Sequence, residues 1–525
     1  MAQRRQSFLT GAAVLTGAVA VTKVLGALYK IPLGNLLDSQ GMAHFYAAYN
    51  VYNLLLMLST AGLPLAASRL VAQAEALGRH GQSRRIFRCA LGLLGLVGLV
   101  FSALMALLPQ FMAALLHDPA ASSAIRVLAP SVLCVCLTSA IRGYTQGLGD
   151  MRPTAVSQII ESACKLLVGL GLCAALLHRG APAELGAAGA IAGVTCGTAL
   201  GLLFLLWTLR RFPAGGGAVE PVGATLGKLL HIGIPITVAG GAMSLMTLLD
   251  QSLILGTLQN TLGLSPEAAA ELYGQYTFGM TLFVLPPSFI YPLSTALLPA
   301  ITRARTRHDE AASAGLTASA LRLTALLALP MGVGLSVLAE PILLLLYGAV
   351  PDTAHAAASH LTVLGIASIF VCLMAATNGI LQAHGRERVP IVTLLCGGVL
   401  KIVTNYLLVA DPDIGINGAA VGTLYSYALI VVLNLLAVHR CTEGRVDFFR
   451  CLWRPVVCTL AMALTARASF NLLAGCVSRN AALLAAIALA AAVYVLLALA
   501  LGAVTADDLR HLQNGEKWAR KLHLR

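Results

Sequence analysis

Residues 157–177 read SQIIESACKLLVGLGLCAALL. By length and apolarity this is a membrane-spanning helix, since one crossing needs about 20 mostly apolar residues. Yet Glu161 and Lys165 sit four residues apart inside it. An ionised group at the centre of a bilayer costs roughly 2.5–3.5 kcal/mol on insertion scales, and such groups face a bundle interior or a wet cavity. At a spacing of i and i+4 the carboxylate and the ammonium share a helical face and can pair. The rest of the chain shows whether mutual neutralisation is why they are there.

The chain has 525 residues, 58% hydrophobic and 11% charged, where soluble domains carry about 25% charged residues. There is too little polar surface to cover soluble domains, so this is an all-α integral membrane protein with many spans. MAQRRQ leads directly into an apolar segment, and no cleavable signal peptide is needed to explain it. A net charge of +13 reflects loops rich in Lys and Arg, as in other membrane proteins, and not nucleic-acid binding. The twelve cysteines lie mostly in apolar runs and form no CxxC pair or Cys/His cluster. They read as small buried hydrophobes, with no disulfide framework, no metal site and no resident cofactor.

Fourteen stretches qualify as spans: 8–33, 45–68, 87–109, 124–148, 154–177, 185–209, 229–255, 273–301, 314–346, 357–383, 389–409, 415–438, 455–475 and 480–503. Basic residues gather in alternate gaps. Arg79, Arg84, Arg85 and Arg88 follow the second span, Arg210, Arg211 and Lys228 the sixth, and Arg303, Arg305 and Arg307 the eighth. The gaps between hold mainly acids, among them Asp38, Asp118, Glu267, Glu271, Asp352 and Asp411. Because cytoplasmic loops are the basic ones, both termini are expected to be cytoplasmic. The loops on the other side are short, which argues against an enzyme with a catalytic carboxylate cluster outside the bilayer.

The chain also resembles itself. RGYTQGLGDMRP (142–153) parallels NGILQAHGRERVP (378–390), SACKLLVGL (162–170) parallels GVLKIVTNY (398–406), and GAAGAIAG (186–193) parallels GINGAAVG (415–422). An earlier pair, STAGLPLAASR (59–69) and STALLPAITR (294–303), keeps the same order. Each copy holds six spans, an even number, so both enter the membrane in the same sense and are related by an axis along its normal. The expected organisation is an N-terminal lobe at 1–212, a C-terminal lobe at 213–446, two extra helices within 447–504 and a basic tail at 505–525. Two related lobes imply alternating access, with a site at their interface near the midplane.

Deep within the spans the basic residues are Lys23, Lys30, Arg142, Lys165, Arg322, Lys401 and Arg467, with Arg69 near a cytoplasmic end, against Glu161 and Asp250. Lys401 stands where Lys165 stands in the first copy, but Gly397 replaces the acid. A lysine kept without its local partner indicates that the lysines face a cavity and that Glu161 tunes Lys165. Lys23 and Lys30 lie seven apart on one face of the first span, which also contains Gly26 and Pro32. Gly weakens a helix and Pro kinks it, so this span is a candidate binding and gating element. An excess of ammonium and guanidinium favours a phosphate- or carboxylate-bearing ligand. The candidate substrate-binding residues are Lys23, Lys30, Arg142, Lys165 and Lys401, and the candidates for coupling or charge tuning are Glu161 and Asp250.

TKVLGALYKIPLGNLL, AAYNVYNLLLMLSTAGLPLAASRLVAQA and RGYTQGLGDMRPTAVSQIIESACKLLVG resemble the stage V sporulation protein B group of polysaccharide transporters. That group shares a superfamily with the lipid II flippases and with the multidrug and toxin extrusion antiporters. The resemblance implies two six-helix lobes plus two helices that help accommodate a polyprenyl tail. It implies a substrate that is a polyprenyl-(pyro)phosphate-linked oligosaccharide or peptidoglycan precursor. The setting it implies is the bacterial cytoplasmic membrane, with membrane lipids and cell-envelope synthesis proteins as partners and coupling to membrane potential, Na+ or H+. In TKVLG, Lys23 stands where lipid II flippases have an arginine, and His44 stands near a position they fill with a carboxylate. The alternative is a cation-coupled multidrug exporter of the same fold, which calls for acidic cavity residues and twelve spans.

Overall fold

In hydrocarbon every backbone N–H and C=O must find its partner within its own segment, so long apolar runs fold as helices. The computed structural model describes residues 8–60, 62–210, 219–442 and 446–503, and all regular structure among them is helical. The basic tail at 505–525 lies outside the described residues. The chain divides into two compact units, Met1–Gly274 and Gln275–Arg525.

The first unit runs α1 (Phe8–Thr60), α2 (Leu63–Ala76), α3 (His80–Leu107), α4 (Pro109–Leu115), α5 (Ser122–Gly147), α6 (Arg152–Cys164), α7 (Leu170–His178), α8 (Ala183–Leu209) and α9 (Val222–Asn260). The division falls within α10 (Pro266–Phe283). The second unit continues with α11 (Leu285–Thr306), α12 (Glu310–Val337), α13 (Ala339–Leu346), α14 (Pro351–Ala383), α15 (Arg388–Val409), α16 (Asn417–Cys441), α17 (Phe448–Leu473) and α18 (Arg479–Ala500).

Although α1 is assigned as one helix, it is two. Lys30 and Tyr46 touch at 2.9 Å, whereas sixteen residues of straight helix would hold them about 24 Å apart. The reversal is at Asp38, whose φ of 58° and ψ of −166° leave the helical region. That backbone conformation suits glycine. Asp38 compensates by accepting the Gly41 N–H at 3.0 Å, which caps the second half as Asp does at helix N-termini. The chain therefore turns back at Asp38, beyond Gly26 and Pro32, both of which keep helical backbone angles.

Eleven stretches among the described residues are long and apolar enough to cross a membrane. One of them, Gly17–Ala76, takes in the second span expected from the sequence and residues 17–33 of the first. The other two of the fourteen fall on α9 and on α10 with α11, which are not among the eleven.

The repeat is visible in the packing. In the first unit α3 packs on α5, α5 on α8, α6 on α8 and α2 on α5. In the second, α12 packs on α14, α14 on α16, α15 on α16 and α11 on α14. The two helices outside the repeat, α17 and α18, pack on one another, and α17 on α12. Leu96, Leu99, Val100, Leu104 and Leu107 of α3 are exposed, as are Leu460 and Leu464 of α17, a surface suited to lipid.

Small residues allow the closest approaches, as is usual between helices in membranes. Between α6 and α7 the chain forms one π turn, Lys165–Gly169, a wide turn often found at functional positions. Here it lies against α8: a Cβ on Gly193 would stand 2.4 Å from the Gly169 Cα. Gly193→Ala is expected to cost about 1–3 kcal/mol, the usual penalty of overpacking. Gly171→Ala, with nothing within 4 Å of its Cβ, is expected to be neutral or to stabilise by about 0.5–1 kcal/mol. Melting temperatures of the two variants, measured side by side in one detergent, check this.

Candidate functional site

The predicted cations of the first unit fall into two kinds. Arg142, on α5, reaches α6. Its Nη2 donates to Glu161 Oε1 at 2.7 Å and to Ser157 Oγ at 2.8 Å, and its Nε donates to Ser157 Oγ at 3.0 Å. The Arg142 and Glu161 side chains are only 14% and 20% exposed, so this pair is largely withdrawn from solvent. Ser157 Oγ in turn donates to the Thr154 carbonyl at 2.9 Å. On the other side α8 makes room for the acid, since a Cβ on Gly201 would lie 2.7 Å from Glu161 Oε1. The carboxylate therefore pairs with the arginine across two helices, and not with Lys165 four residues along its own. Guanidinium offers five donors in a rigid fork and engages both Ser157 and Glu161 at once.

Lys165 begins the π turn and points to aromatic rings. Its Nζ lies 4.7 Å from the ring centroids of both Tyr29 and Tyr49. The Tyr29 hydroxyl is committed elsewhere, donating to the Ala190 carbonyl at 3.1 Å. Lys30 Nζ donates to the Tyr46 hydroxyl at 2.9 Å. It is 5.0 Å from that ring's centroid, so the contact is to the oxygen more than to the face. The Tyr49 phenol lies within electrostatic reach of Lys165, Lys30 and Lys23 together. Its ring stacks on Phe45 at 5.7 Å and 13° and meets Tyr52 at 5.8 Å. Tyr52 lies within electrostatic reach of both Glu161 and Arg142, so the two groups of charges are neighbours.

Lys30 and Lys165 are thus brought together around one tyrosine face, with Lys23 near it on the exposed side of α1. Gly26 is half-buried with nothing within 4 Å of a Cβ, and Pro32 is exposed. Asp250 lies half-buried on α9. Beside it Gln251 accepts from Asn50 Nδ2 at 2.7 Å, a buried polar link between α9 and α1. His44 has a carboxylate for company after all: Asp118, from the turn before α5, places both oxygens 2.7 and 2.8 Å from His44 Nδ1.

The second unit holds a neutral version of the same arrangement. Residues 142, 157, 161 and 165 correspond, at an offset of 236, to Asn378, Thr393, Gly397 and Lys401. Thr393 Oγ1 donates to Asn434 Oδ1 at 2.8 Å, and Asn434 Nδ2 donates to Asn378 Oδ1 at 2.8 Å. A Cβ on Gly397 would stand 2.4 Å from Ile430 Cγ1, so an apolar side chain occupies the space beside it. Arginine and acid have been lost together, while the lysine stays. The acid belongs with the arginine. Lys401 is half-buried on α15.

The residues that sequence reasoning missed are the tyrosines. Their signal is present in YAAYNVY, where Tyr46, Tyr49 and Tyr52 recur every three residues and therefore share one helical face.

Helices long and apolar enough to cross a membrane mark this chain as a multi-pass membrane protein, and the similarities that follow mark it as a transporter. It belongs to the polysaccharide biosynthesis protein family, whose model matches residues 8–305, more than half of the chain. The MatE model matches residues 264–407. The chain is similar to stage V sporulation protein B of Bacillus subtilis (strain 168), 26% identical over 97% of this chain and 98% of the relative. It is also similar to the lipid II flippase MurJ of that organism, 24% identical over 82% of each. Among solved structures it resembles the lipid II flippase MurJ in an inward closed conformation, with a TM-score of 0.72 and 13% identity over 93% of this chain and 98% of that one. An inward-facing multidrug resistance MATE family transporter of the MOP superfamily gives a TM-score of 0.66 and 14% identity over 80% and 94%. At such identities the structural likeness establishes the fold.

Removing one member of a buried ion pair strands the other. Arg142→Gln is expected to destabilise the protein by about 3–5 kcal/mol. The double variant Arg142→Gln with Glu161→Gln should recover most of that loss. A double-mutant cycle on thermal or chaotrope unfolding checks it, and equal losses in the single and double variants would contradict the pairing.

Proposed function

We propose that this protein is a flippase that carries a polyprenyl-(pyro)phosphate-linked oligosaccharide or peptidoglycan precursor across the bacterial cytoplasmic membrane by alternating access, with both termini cytoplasmic. One observation carries the reading: two lysine ammonium groups, Lys30 and Lys165, are held inside a membrane-spanning unit against tyrosines, while the nearby carboxylate is committed to Arg142. Their charge is left for an anion, and Lys binds phosphate as a point charge. Similarity to a stage V sporulation protein B and to a lipid II flippase supports the same cargo class. Lys23 and Lys401 extend the cationic set. Arg142 contributes to it only as the counter-ion that keeps Glu161 from neutralising a lysine. Gly26 and Pro32 are the proposed points of bending in the first half of α1. Asp250 and Glu161 are the proposed groups for coupling to membrane potential, Na+ or H+. Proteins of cell-envelope synthesis are the proposed partners that deliver or receive the lipid-linked glycan.

The test is a leaflet-translocation assay in proteoliposomes with several polyprenyl-diphosphate glycans. Lys30→Met and Lys165→Met are each expected to lower the rate about tenfold or more, since a charged hydrogen bond is worth about 1.5–3 kcal/mol. Lys401→Met is expected to lower it as well. Unaltered rates in all three would remove the proposal. Transport of cationic drugs in place of these lipids would favour the multidrug exporter, whose fold the MATE structures share.

A further inference from the structure

We propose that Tyr46 and Tyr49 are positioning residues of the anion site: the Tyr46 phenol oxygen and the Tyr49 ring hold the Lys30 and Lys165 side chains in place without cancelling their charge, so that both ammonium groups are presented to one diphosphate. The inference rests on the flippase reading and assigns a role to residues that the reading leaves out.

Each observation bears on a different part of it. Lys30 comes from the first half of α1 and Lys165 from the π turn after α6, so no local sequence relation orders them relative to each other. Both are met by the second half of α1. Tyr46 accepts the Lys30 bond at 2.9 Å, and the ring of Tyr49, one turn on, meets the Lys165 ammonium at 4.7 Å, as the Tyr29 ring does. Tyrosines three residues apart face the same way, so the two lysines are held at adjacent turns of a single helix. Tyr49 is itself fixed by stacking on Phe45, and the Phe45 ring meets Tyr29 at 6.1 Å. Lys30, Tyr46, Tyr49 and Lys165 are all half-buried, so none of the four is sealed in a closed core.

The choice of tyrosine has a physical reason. A flexible lysine in a low-dielectric setting needs an anchor, or its ammonium folds back to water. A carboxylate would anchor it and neutralise it. A phenol oxygen takes one of the three ammonium donors and leaves two for a ligand, with the full positive charge intact. A ring face adds about 0.5–2 kcal/mol of attraction to the cation. The same unit contains the contrasting solution: at Arg142 the anchor is Glu161, and that cation is neutralised.

The experiment uses the full chain in lipid nanodiscs, titrated with inorganic pyrophosphate by calorimetry at one low ionic strength, with melting temperature as the check on folding. Tyr46→Phe removes the oxygen that Lys30 meets and keeps the ring, and Tyr49→Leu removes the ring that Lys165 meets. Each is expected to weaken pyrophosphate binding about fivefold, the worth of one hydrogen bond or one cation–ring contact. The isosteric pair Tyr49→Gln and Tyr49→Glu separates anchoring from charge: the Gln variant is expected to bind at least about tenfold more tightly than the Glu variant. Tyr494→Phe, whose hydroxyl donates to the Leu326 carbonyl at 2.7 Å in the second unit, is expected to bind as the unaltered chain does. Full affinity in both Tyr46→Phe and Tyr49→Leu, or equal affinity in the Gln and Glu variants, overturns the proposal. If Lys30→Met and Lys165→Met also leave pyrophosphate binding unchanged, the anion-site reading itself falls, which distinguishes the two failures.

Discussion

An ion in hydrocarbon must be paired, hydrogen-bonded or wet, and much of the first unit is arranged around that requirement. Glu161 satisfies it through Arg142 and, by way of that guanidinium, Ser157. Breaking such a buried pair from one side leaves an uncompensated charge, which is why its members act as a unit. The packing follows from it. Helix α8 presents glycine at 201 because the Glu161 carboxylate lies where any larger side chain would project. The lysines satisfy the same requirement differently, Lys30 at the Tyr46 oxygen and Lys165 beside the Tyr29 and Tyr49 rings. One unit therefore contains one cation paired with a carboxylate and two set against tyrosines.

The device that brings the lysine and tyrosine faces together is the reversal at Asp38. Without it the two halves of α1 would run on as one rod and Lys30 could not meet Tyr46. Asp38 accepts an unfavourable backbone conformation and offsets part of that cost by capping the next turn. The π turn at Lys165–Gly169 is the second device. It starts at the lysine and passes α8 at the close backbone approach described above, so one short segment both carries the lysine and packs against α8.

Internal duplication shows which of these features travel together. In the second copy Asn378 and Gly397 replace Arg142 and Glu161, Asn434 and Thr393 supply neutral hydrogen bonds, and Lys401 persists. A carboxylate at 397 would have met Ile430, with Asn378 where the first copy has Arg142. Reading the first copy alone, Glu161 and Lys165 are natural partners at i and i+4. Reading both copies with the structure, the acid is the arginine's.

Helix content, membrane class, the repeat and the identity of the buried ions were legible in the amino-acid sequence, because hydropathy, loop charge and spacing along the chain are local properties with large energies behind them. The partners of those ions were not. Arg142 and Glu161 are 19 residues apart, Lys165 and Tyr29 are 136 apart, and His44 and Asp118 are 74 apart. Each pair is set by which helices lie side by side and by where α1 turns back. Only the tertiary structure decided that, since a side chain in a bilayer seeks whatever polar group comes within reach, however distant in sequence, before it accepts exposure to lipid.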